Sequence, residues 1–361
     1  MPQRFVILAG RKALPIIRDE GLDPDRVQVV AGAAGGPKWL VLYGLDRWLF
    51  GEYFKDRRAP LHLVGSSIGS WRFAAASVKE PVSGIDNFKV AYFRQRYSAR
   101  PSAAEVSKET RQVLDGFIGD VETRQILAHP SFRPAILTVR CRNLALASES
   151  VPLQAAALGF AALCNAASRT SLRFFFQRTL FHHPAGNGFW GGFDDFPERK
   201  IGLNERNLRE AVMASGSIPL VMAGVSDIPG APRGVYRDGG IIDYHLNLKF
   251  PCDSDRLVLF PHYADHVIPG WFDKKVAWRK PVFDYLDNVV LVAPSPEFVA
   301  GLPQGKISDR KDFQIFSGRD DERIKSWQTI VDQSMRLAED IHEAIGTGMI
   351  RDLVKPLERF S

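Results

Sequence analysis

The sequence predicts an α/β fold in which a sheet is covered by helices. Short apolar runs typical of buried strands alternate along the chain with segments of helical periodicity, a pattern that favours layers of helices packed on a sheet. The chain has 361 residues, of which 45% are hydrophobic, so it is long enough to build a large core. Residues 61–76 alone indicate a strand, a glycine-rich turn and a helix.

The predicted elements cover most of the chain. Strands are expected at residues 27–31, 61–64, 134–141, 256–262 and 288–293. Helices are expected at residues 39–49, 85–97, 103–117, 151–168, 204–215 and 324–345. The helix at 151–168 combines alanine and leucine at close spacing, and we expect it to be buried in the core. Residues 172–195 are interpreted as a strand and a loop packed by aromatics, with a lid or lipid-contact flap as the alternative.

The turn within residues 61–76 has the pattern GxSxG, as Gly65-Ser66-Ser67-Ile68-Gly69. A sharp turn between a strand and a helix holds the middle serine in a strained backbone geometry, and the two glycines leave room for the turn and for a substrate. Ser67 is therefore a candidate nucleophile. The alternative is a turn without chemistry, because so short a pattern also occurs by chance.

A second candidate feature is the glycine-rich loop at residues 32–38, between a predicted strand and a predicted helix. Backbone N–H groups in such a loop bind anions, and Lys38 adds a positive charge. A nucleotide-binding P-loop is excluded, because Pro37 stands where that motif needs glycine and Trp39 where it needs serine or threonine. The spacing of a dinucleotide-binding loop is also missing. We interpret the loop as an oxyanion hole, which supplies donors where negative charge develops in acyl transfer.

A third feature is Asp238, which stands at a predicted strand end and precedes Gly239 and Gly240. Glycines after an acidic residue let the backbone turn closely and let another group approach the carboxylate. The alternative is an ordinary turn, since Asp-Gly is common between strands.

Together these motifs resemble those of the patatin-like phospholipase family. A Gly-Gly-x-Lys loop, a GxSxG turn about thirty residues later and a distal Asp-Gly-Gly follow one another in the order of that family. A fourth block, Ala214-Ser215-Gly216-Ser217-Ile218-Pro219, resembles the segment that precedes the aspartate there. The four motifs extend over about residues 27–240 and are specific as an ordered set.

The resemblance implies a three-layer patatin-like fold, with a mostly parallel central sheet flanked by helices and a nucleophile elbow between a strand and a helix. It implies a dyad in which Ser67 attacks a lipid acyl ester and Asp238 acts as general base and acid, with neither histidine, cofactor nor metal. It also implies an oxyanion hole formed by Gly35, Gly36, Pro37 and Lys38. The residues that would support the elbow and the dyad are Gly65, Gly69, Gly239 and Gly240.

Two positions depart from the family pattern, which usually has glycine before the Gly-Gly pair and after the basic residue. Ala34 and Trp39 occupy these positions here. Ala34 is tolerable unless its φ angle must be positive, whereas Trp39 is expected to place a large ring beside the oxyanion site.

Three regions are expected along the chain. Residues 1–24 form an N-terminal extension, residues 25–300 the patatin-like catalytic domain, and residues 301–361 a linker with a helical extension.

Two other functions remain open from the sequence. An α/β-hydrolase with a catalytic triad would use Ser67, Asp238 and either His262 or His266. A lipid or acyl-ligand binding protein would keep the fold without turnover, as the altered glycine loop allows. Metal-dependent hydrolysis ranks lower, because the adjacent His182 and His183 would face opposite ways on a strand.

The net charge of +6 favours anionic surfaces. Since no nucleic-acid motif accompanies the basic residues, the expected partners are a lipid or other acyl-ester substrate and, peripherally, an anionic membrane surface. The N-terminal apolar run of six residues before Arg11 is too short for a secretory signal, and the three cysteines have no paired spacing. A cytoplasmic protein, with peripheral membrane contact as an option, is therefore expected.

Overall fold

The structure is a computed structural model that describes residues 3–193 and 195–357. This part of the chain is an α/β fold with a mostly parallel central sheet flanked by helices, as predicted. The strands, in chain order, are β1 (Phe5–Ala9), β2 (Val27–Gly32), β3 (Leu61–Ser66), β4 (Phe132–Cys141), β5 (Phe176–His182), β6 (Glu198–Gly202), β7 (Val225–Ser226), β8 (Val235–Asp238), β9 (Leu257–Pro261), β10 (Val289–Pro294) and β11 (Val354–Pro356).

The helices connect and cover these strands. In chain order they are α1 (Ala13–Glu20), α2 (Tyr43–Trp48), α3 (Ile68–Ala76), α4 (Pro81–Phe93), α5 (Ala103–Asp115), α6 (Asp120–Leu127), α7 (Leu144–Ala147), α8 (Val151–Ala167), α9 (Leu208–Ser215), α10 (Pro296–Ala300), α11 (Asp312–Ile315), α12 (Asp320–Gly346) and α13 (Ile350–Leu353). The helix predicted at 39–49 is divided, because a 3₁₀ helix over Gly36–Leu42 precedes α2 and a π-helical turn over Leu49–Tyr53 follows it. The other predicted helices and strands occur with shifted ends.

The centre of the sheet is parallel and buried. The strand order is β11-β1-β10-β9-β2-β3-β4-β5-β6, and β10, β9, β2, β3 and β4 run in the same direction. Every residue of β3, β9 and β10 is buried. Parallel strands covered on both faces read as continuous apolar runs, which is why the sequence located these strands.

The two ends of the described chain join the same sheet. β1 pairs antiparallel with β10 and parallel with β11, so strands from both expected extensions continue the sheet of the main domain. In the C-terminal region, α12 packs against α2, and the Ser334 hydroxyl of α12 accepts a hydrogen bond of 3.0 Å from the Gly44 N–H. The boundaries expected near residues 24 and 300 therefore do not separate independent sheets or cores.

β4 brings two strand ends together. The first part of β4 pairs in parallel with β3, as far as Ser66 opposite Leu137. Beyond that point β4 pairs antiparallel with β8, where Asp238 lies opposite Thr138. Because β3 and β8 run in opposite directions beside β4, their carboxyl ends meet at neighbouring positions of that strand. This register places the segment after Ser66 next to Asp238.

The described part of residues 172–195 is a strand and an irregular segment, as predicted. β5 is buried along its length, and the ring of Phe189 stacks on His62 with 3.3 Å between the ring centroids. Asp194 lies outside the described residues.

α8 occupies the predicted position, but its expected burial is wrong. Only Gln154, Leu158, Ala161 and Asn165 are buried, whereas Phe160 is 61% exposed and Leu163 is 73% exposed. Alanine and leucine content measures how apolar a helix is and does not reveal which of its faces other elements cover. Within the described residues, the structure contains no helix whose length and hydropathy would let it span a bilayer.

Candidate active site

Ser67 lies at a sharp turn between β3 and α3. Its backbone has φ 53° and ψ −126°, an unusual conformation for a residue other than glycine, and α3 begins at the next residue. Strain of this kind costs about 1–3 kcal/mol and persists only where the surrounding structure imposes it. A Cβ atom at Gly69 would collide with the carbonyl oxygen of Gly32, so the close packing of α3 on β2 requires glycine there. The geometry is that of a nucleophile elbow.

The Ser67 hydroxyl donates a hydrogen bond of 2.7 Å to Oδ2 of Asp238. The two residues are 171 positions apart in the chain and are joined by the opposed ends of β3 and β8. Ser67 is 6% exposed and Asp238 is 7% exposed, so bulk water has little access to the pair. The structure therefore brings together the two residues that the sequence singled out for catalysis.

The Asp238 carboxylate is held in place by its own chain. Oδ1 accepts a hydrogen bond of 2.7 Å from the Gly240 N–H, and the Asp238 N–H donates to the Ser217 carbonyl at 3.0 Å. Burial raises the pKa of Asp238 to about 6, although the Ser67 hydroxyl, the Gly240 N–H and the cations Arg310 and Lys274 act in the opposite direction. An aspartate with such a pKa is ionised at neutral pH and still basic enough to accept a proton.

The side chain of Ser215 holds the elbow from α9. Its hydroxyl oxygen accepts a hydrogen bond of 2.9 Å from the Ser67 N–H and donates one of 2.6 Å to the Leu137 carbonyl. It also lies 3.0 Å from the Ser70 hydroxyl. Ser215 belongs to the fourth sequence motif, but its role could not be predicted from that motif, which does not specify the backbone groups that the side chain contacts.

The glycine-rich loop offers backbone donors close to the dyad. Gly36 has φ 56°, which favours glycine, and the N–H groups of Gly35 and Gly36 have no acceptor among the described residues. Ile68, the first residue of α3, also has an N–H without an acceptor in that part of the chain. These free donors can receive an oxyanion.

Two residues of the expected oxyanion hole cannot serve as free donors. Pro37 has no N–H, and the Lys38 N–H is directed to the Gly35 carbonyl at 3.4 Å. The Lys38 ammonium instead lies 4.6 Å from the centroid of the Tyr263 ring. Pro37 is buried at the start of the 3₁₀ helix, so it shapes the loop and leaves donation to its neighbours.

The remaining glycines of the motifs lie where side chains would collide. A Cβ atom at Gly65 would meet α3, one at Gly239 would meet the Leu137 carbonyl, and one at Gly240 would lie 2.8 Å from the Ala34 Cβ. These contacts explain why the elbow and the Asp238 turn need glycine.

Neither departure from the family pattern blocks the site. Ala34 is not among the residues with positive φ, and its N–H and carbonyl bind the Tyr244 carbonyl and the Tyr263 hydroxyl at 2.9 and 2.5 Å. The Trp39 ring is buried in the core and stacks on Phe88 with 4.4 Å between centroids. The expectation that this ring stands beside the oxyanion site is wrong, because the 3₁₀ helix directs it into the aromatic core.

No histidine joins the dyad in the described structure. Nε2 of His245 is paired with the Tyr263 hydroxyl at 2.7 Å, and Nδ1 of His262 with the Ala264 backbone. His266 is exposed and paired with Asp265 at 2.9 Å. Burial lowers the pKa of His262 to about 3, which keeps it neutral. The geometry of a catalytic triad is therefore not formed.

Within residues 3–193 and 195–357, no group of three or more His, Cys, Asp or Glu side chains is arranged to hold a metal ion. Comparison of the chain with family models, with curated proteins and with solved structures finds no match.

Proposed function

We propose that the protein is a serine acyl hydrolase that cleaves carboxylic ester bonds of lipids through an acyl-enzyme on Ser67. The observation that carries this proposal is the hydrogen bond from the hydroxyl of a strained elbow serine to a buried aspartate with a raised pKa. Structural carboxylates are usually paired with cations, whereas this one contacts a nucleophile.

The proposed reaction follows from the positions of these groups. Oγ of Ser67 attacks the ester carbonyl carbon while Asp238 accepts the hydroxyl proton. The free N–H groups of Gly35, Gly36 and Ile68 are the candidates to stabilise the oxyanion. The carbon–oxygen bond to the alcohol breaks, and Asp238 returns the proton to the departing oxygen. Water then attacks the acyl-enzyme, gives a proton to Asp238 and releases the carboxylic acid, after which Ser67 regains its proton.

The resemblance to patatin-like phospholipases supports this assignment. The four motifs of that resemblance meet at one site, since the loop, the elbow, Ser215 and Asp238 are linked by contacts within the described structure. We therefore extend the proposal to the three-layer patatin-like fold and to lipid esters as the substrate class.

The pH profile of turnover tests the role of Asp238. A base works only when deprotonated, so kcat/KM on a soluble acyl ester is expected to fall about tenfold per pH unit below a pKa near 6 and to level off above it. The measurement is initial rates between about pH 4 and pH 9. A profile with no inflection in the acid range would contradict the dyad, and the absence of any ester turnover by folded protein would favour a binding protein.

An exposed apolar surface beside the site supports a lipid as substrate. α8 contains no charged residue, and we call its exposed large apolar residues Val151, Leu153, Phe160 and Leu163 the α8 surface. Gln154 on the buried face accepts a hydrogen bond of 2.6 Å from the Leu220 N–H, three residues after Ser217. At the other end of α8, Asn165 donates to Asp273 at 2.8 Å. α8 is therefore anchored at one end to the segment that follows Ser217 and at the other to the 3₁₀ helix Trp271–Lys275.

Three exposed basic side chains lie on segments near this surface. Arg142 and Arg173 are exposed and are joined by a hydrogen bond of 2.9 Å from the Arg142 guanidinium to the Arg173 carbonyl. Lys275 is exposed in the 3₁₀ helix that packs on α8. An apolar helix face with cations at its edge suits an anionic lipid surface, because the apolar side chains can contact acyl chains while the cations contact the headgroups.

Substitution of the α8 surface is expected to separate hydrolysis of aggregated esters from that of soluble ones. In the double variant Phe160→Ser/Leu163→Ser, the ratio of vesicle-ester to soluble-ester turnover should fall by about tenfold or more, because two partly inserted apolar side chains are lost. Sedimentation with anionic vesicles measures the same loss as binding. Val121→Ser, on the exposed face of α6, is the matched control. An unchanged ratio would rule out α8 as the lipid-contact surface.

A further inference from the structure

Three cations lie around the dyad without a carboxylate partner. Lys38, Lys274 and Arg310 form no ion pair in the part of the chain that the structure describes. Lys38 belongs to the glycine-rich loop, Lys274 to the 3₁₀ helix Trp271–Lys275, and Arg310 to the segment before α11. Three separate parts of the chain thus bring positive charge to one place.

Contacts through the neighbouring aromatic rings locate the two lysines. The Lys274 ammonium lies 3.7 Å from the centroid of Tyr244, whose ring borders Gly240 of the Asp238 turn. The Lys38 ammonium lies 4.6 Å from the centroid of Tyr263, whose ring packs against Gly35 of the proposed oxyanion loop. Each ammonium is therefore separated by one ring from the Asp238 turn or from the proposed oxyanion loop.

Arg310 also contacts the glycine-rich loop. A Cβ atom built on Gly36 would lie 3.4 Å from Cγ of Arg310, so the arginine stem is in contact with the proposed oxyanion loop. Burial raises the pKa of Asp238, and the Arg310 and Lys274 charges oppose that rise. Burial lowers the pKa of Lys38, with the Asp309 charge opposing this shift and the Arg310 charge adding to it. The cations are therefore within electrostatic range of the dyad and of one another.

The acidic residues beside Arg310 already accept hydrogen bonds from other side chains. Asp309 and Asp312 both accept hydrogen bonds from the Lys306 ammonium, at 3.3 and 2.5 Å. Asp312 also accepts one of 2.9 Å from the Trp327 indole. The Asp238 carboxylate accepts the hydrogen bond from the Ser67 hydroxyl. The region around the dyad thus holds three basic side chains, and its carboxylates Asp309 and Asp312 are shared with Lys306. Burial, with the neighbouring charges of Arg310 and Lys38, lowers the pKa of Lys274 to about 7, so a bound anion would favour its charged form.

We propose that Lys38, Lys274 and Arg310 form an anion subsite that selects acyl esters whose alcohol portion carries a net negative charge. The inference rests on the proposed hydrolase function and specifies the substrate of that site. A phosphate monoester fits this subsite, because its oxygens can accept from a guanidinium and from two ammonium groups together. A zwitterionic headgroup fits less well, since its ammonium would meet three like charges.

Three esters that share one short acyl chain test this selectivity below their aggregation concentrations, so that a lipid surface plays no part. They are a monoacylglycerol, the corresponding monoacylglycerol phosphate and the corresponding phosphocholine. The phosphate ester is expected to exceed the neutral ester in kcat/KM by about tenfold or more, mainly through KM, and to lose this advantage as salt is added. Equal turnover of the phosphate and neutral esters would overturn the subsite while leaving the hydrolase intact.

Charge-removing variants assign the selectivity to residues. Arg310→Gln and Lys274→Gln are each expected to lower the ratio of phosphate-ester to neutral-ester kcat/KM by about threefold to tenfold. Arg58→Gln is the matched control, because Arg58 is exposed and precedes the amino end of β3, opposite to Ser67. A ratio that both subsite variants leave unchanged would overturn the proposal.

A binding measurement keeps the test independent of catalysis. Hexyl phosphate is expected to raise the unfolding temperature of the Ser67→Ala protein, whereas hexanol is not, and Arg310→Gln in that background should reduce the shift. A rise in the unfolding temperature with inorganic phosphate alone would show that the phosphate group is sufficient for binding. A rise only with hexyl phosphate would show that the alkyl ester contributes to binding as well. If hexyl phosphate binds but no ester turns over, the hydrolase proposal fails and the subsite stands. No shift with either phosphate would overturn the subsite.

Discussion

Ser67→Ala is expected to lower kcat for any acyl ester by at least about 10³-fold, and to abolish labelling by a fluorophosphonate. The Ser67 hydroxyl is the group that Asp238 contacts, and no other hydroxyl donates to that carboxylate among the described residues. Loss of Oγ therefore removes both the nucleophile and the proton that the base accepts. Steady-state hydrolysis and mass spectrometry of the labelled protein measure the two effects.

The elbow itself supplies the control for this prediction. Ser66 is the preceding residue, is fully buried and has a hydroxyl without a hydrogen-bond partner in the described structure, so Ser66→Ala makes the same chemical change without touching the dyad. Ser66→Ala should retain labelling. Labelling that survives in Ser67→Ala, or that maps to another serine, would refute the assignment of the nucleophile.

Asp238→Asn is expected to abolish turnover and to stabilise the fold at neutral pH. An amide cannot accept the Ser67 proton, so kcat should fall by about 10³-fold or more. The hydrogen bond from the Gly240 N–H can be kept by the amide oxygen, which makes the substitution mild for the local structure. Activity and stability should therefore move in opposite directions in this variant.

The sign of the stability change follows from the raised pKa of Asp238. An unfolded aspartate has a pKa of about 3.9, whereas burial raises the pKa of Asp238 to about 6 in the fold. The unfolded chain therefore releases this proton first, and folding stability falls as the pH rises from about 4 to about 6. At pH 7 the cost is about 1–3 kcal/mol, and asparagine removes it. Urea unfolding at about pH 7.5 and about pH 4 should show a gain that vanishes at the lower pH.

Two further variants make this result decisive. Asp19→Asn changes an exposed aspartate of α1 and should alter neither turnover nor stability. His262→Gln tests the triad alternative, because a catalytic histidine would lose activity as severely as Asp238→Asn. Collapse of turnover in a folded His262→Gln protein would refute the dyad, and destabilisation by Asp238→Asn at neutral pH would refute the assigned pKa.

Much of the fold and of the site was predictable because the information is local. Strands such as β3, β9 and β10 are covered on both faces and appear in the sequence as continuous apolar runs. The elbow at Ser67 is specified by glycines within two positions of it, because close packing and the turn both need a missing side chain. These constraints act over a few residues, so they can be recognised without the fold.

Other properties arise from contacts between distant parts of the chain. Ser67 meets Asp238 because β3 and β8 end at adjacent positions of β4, a register that no motif encodes. The Trp39 ring enters the aromatic core, and α8 leaves Phe160 and Leu163 exposed, because neighbouring elements settle which face of a segment is covered. The Asp238 pKa and the cations Lys274 and Arg310 depend likewise on packing. The residue types thus determine which chemical groups this chain has. Strand register determines which of these groups meet, and burial determines their ionisation states.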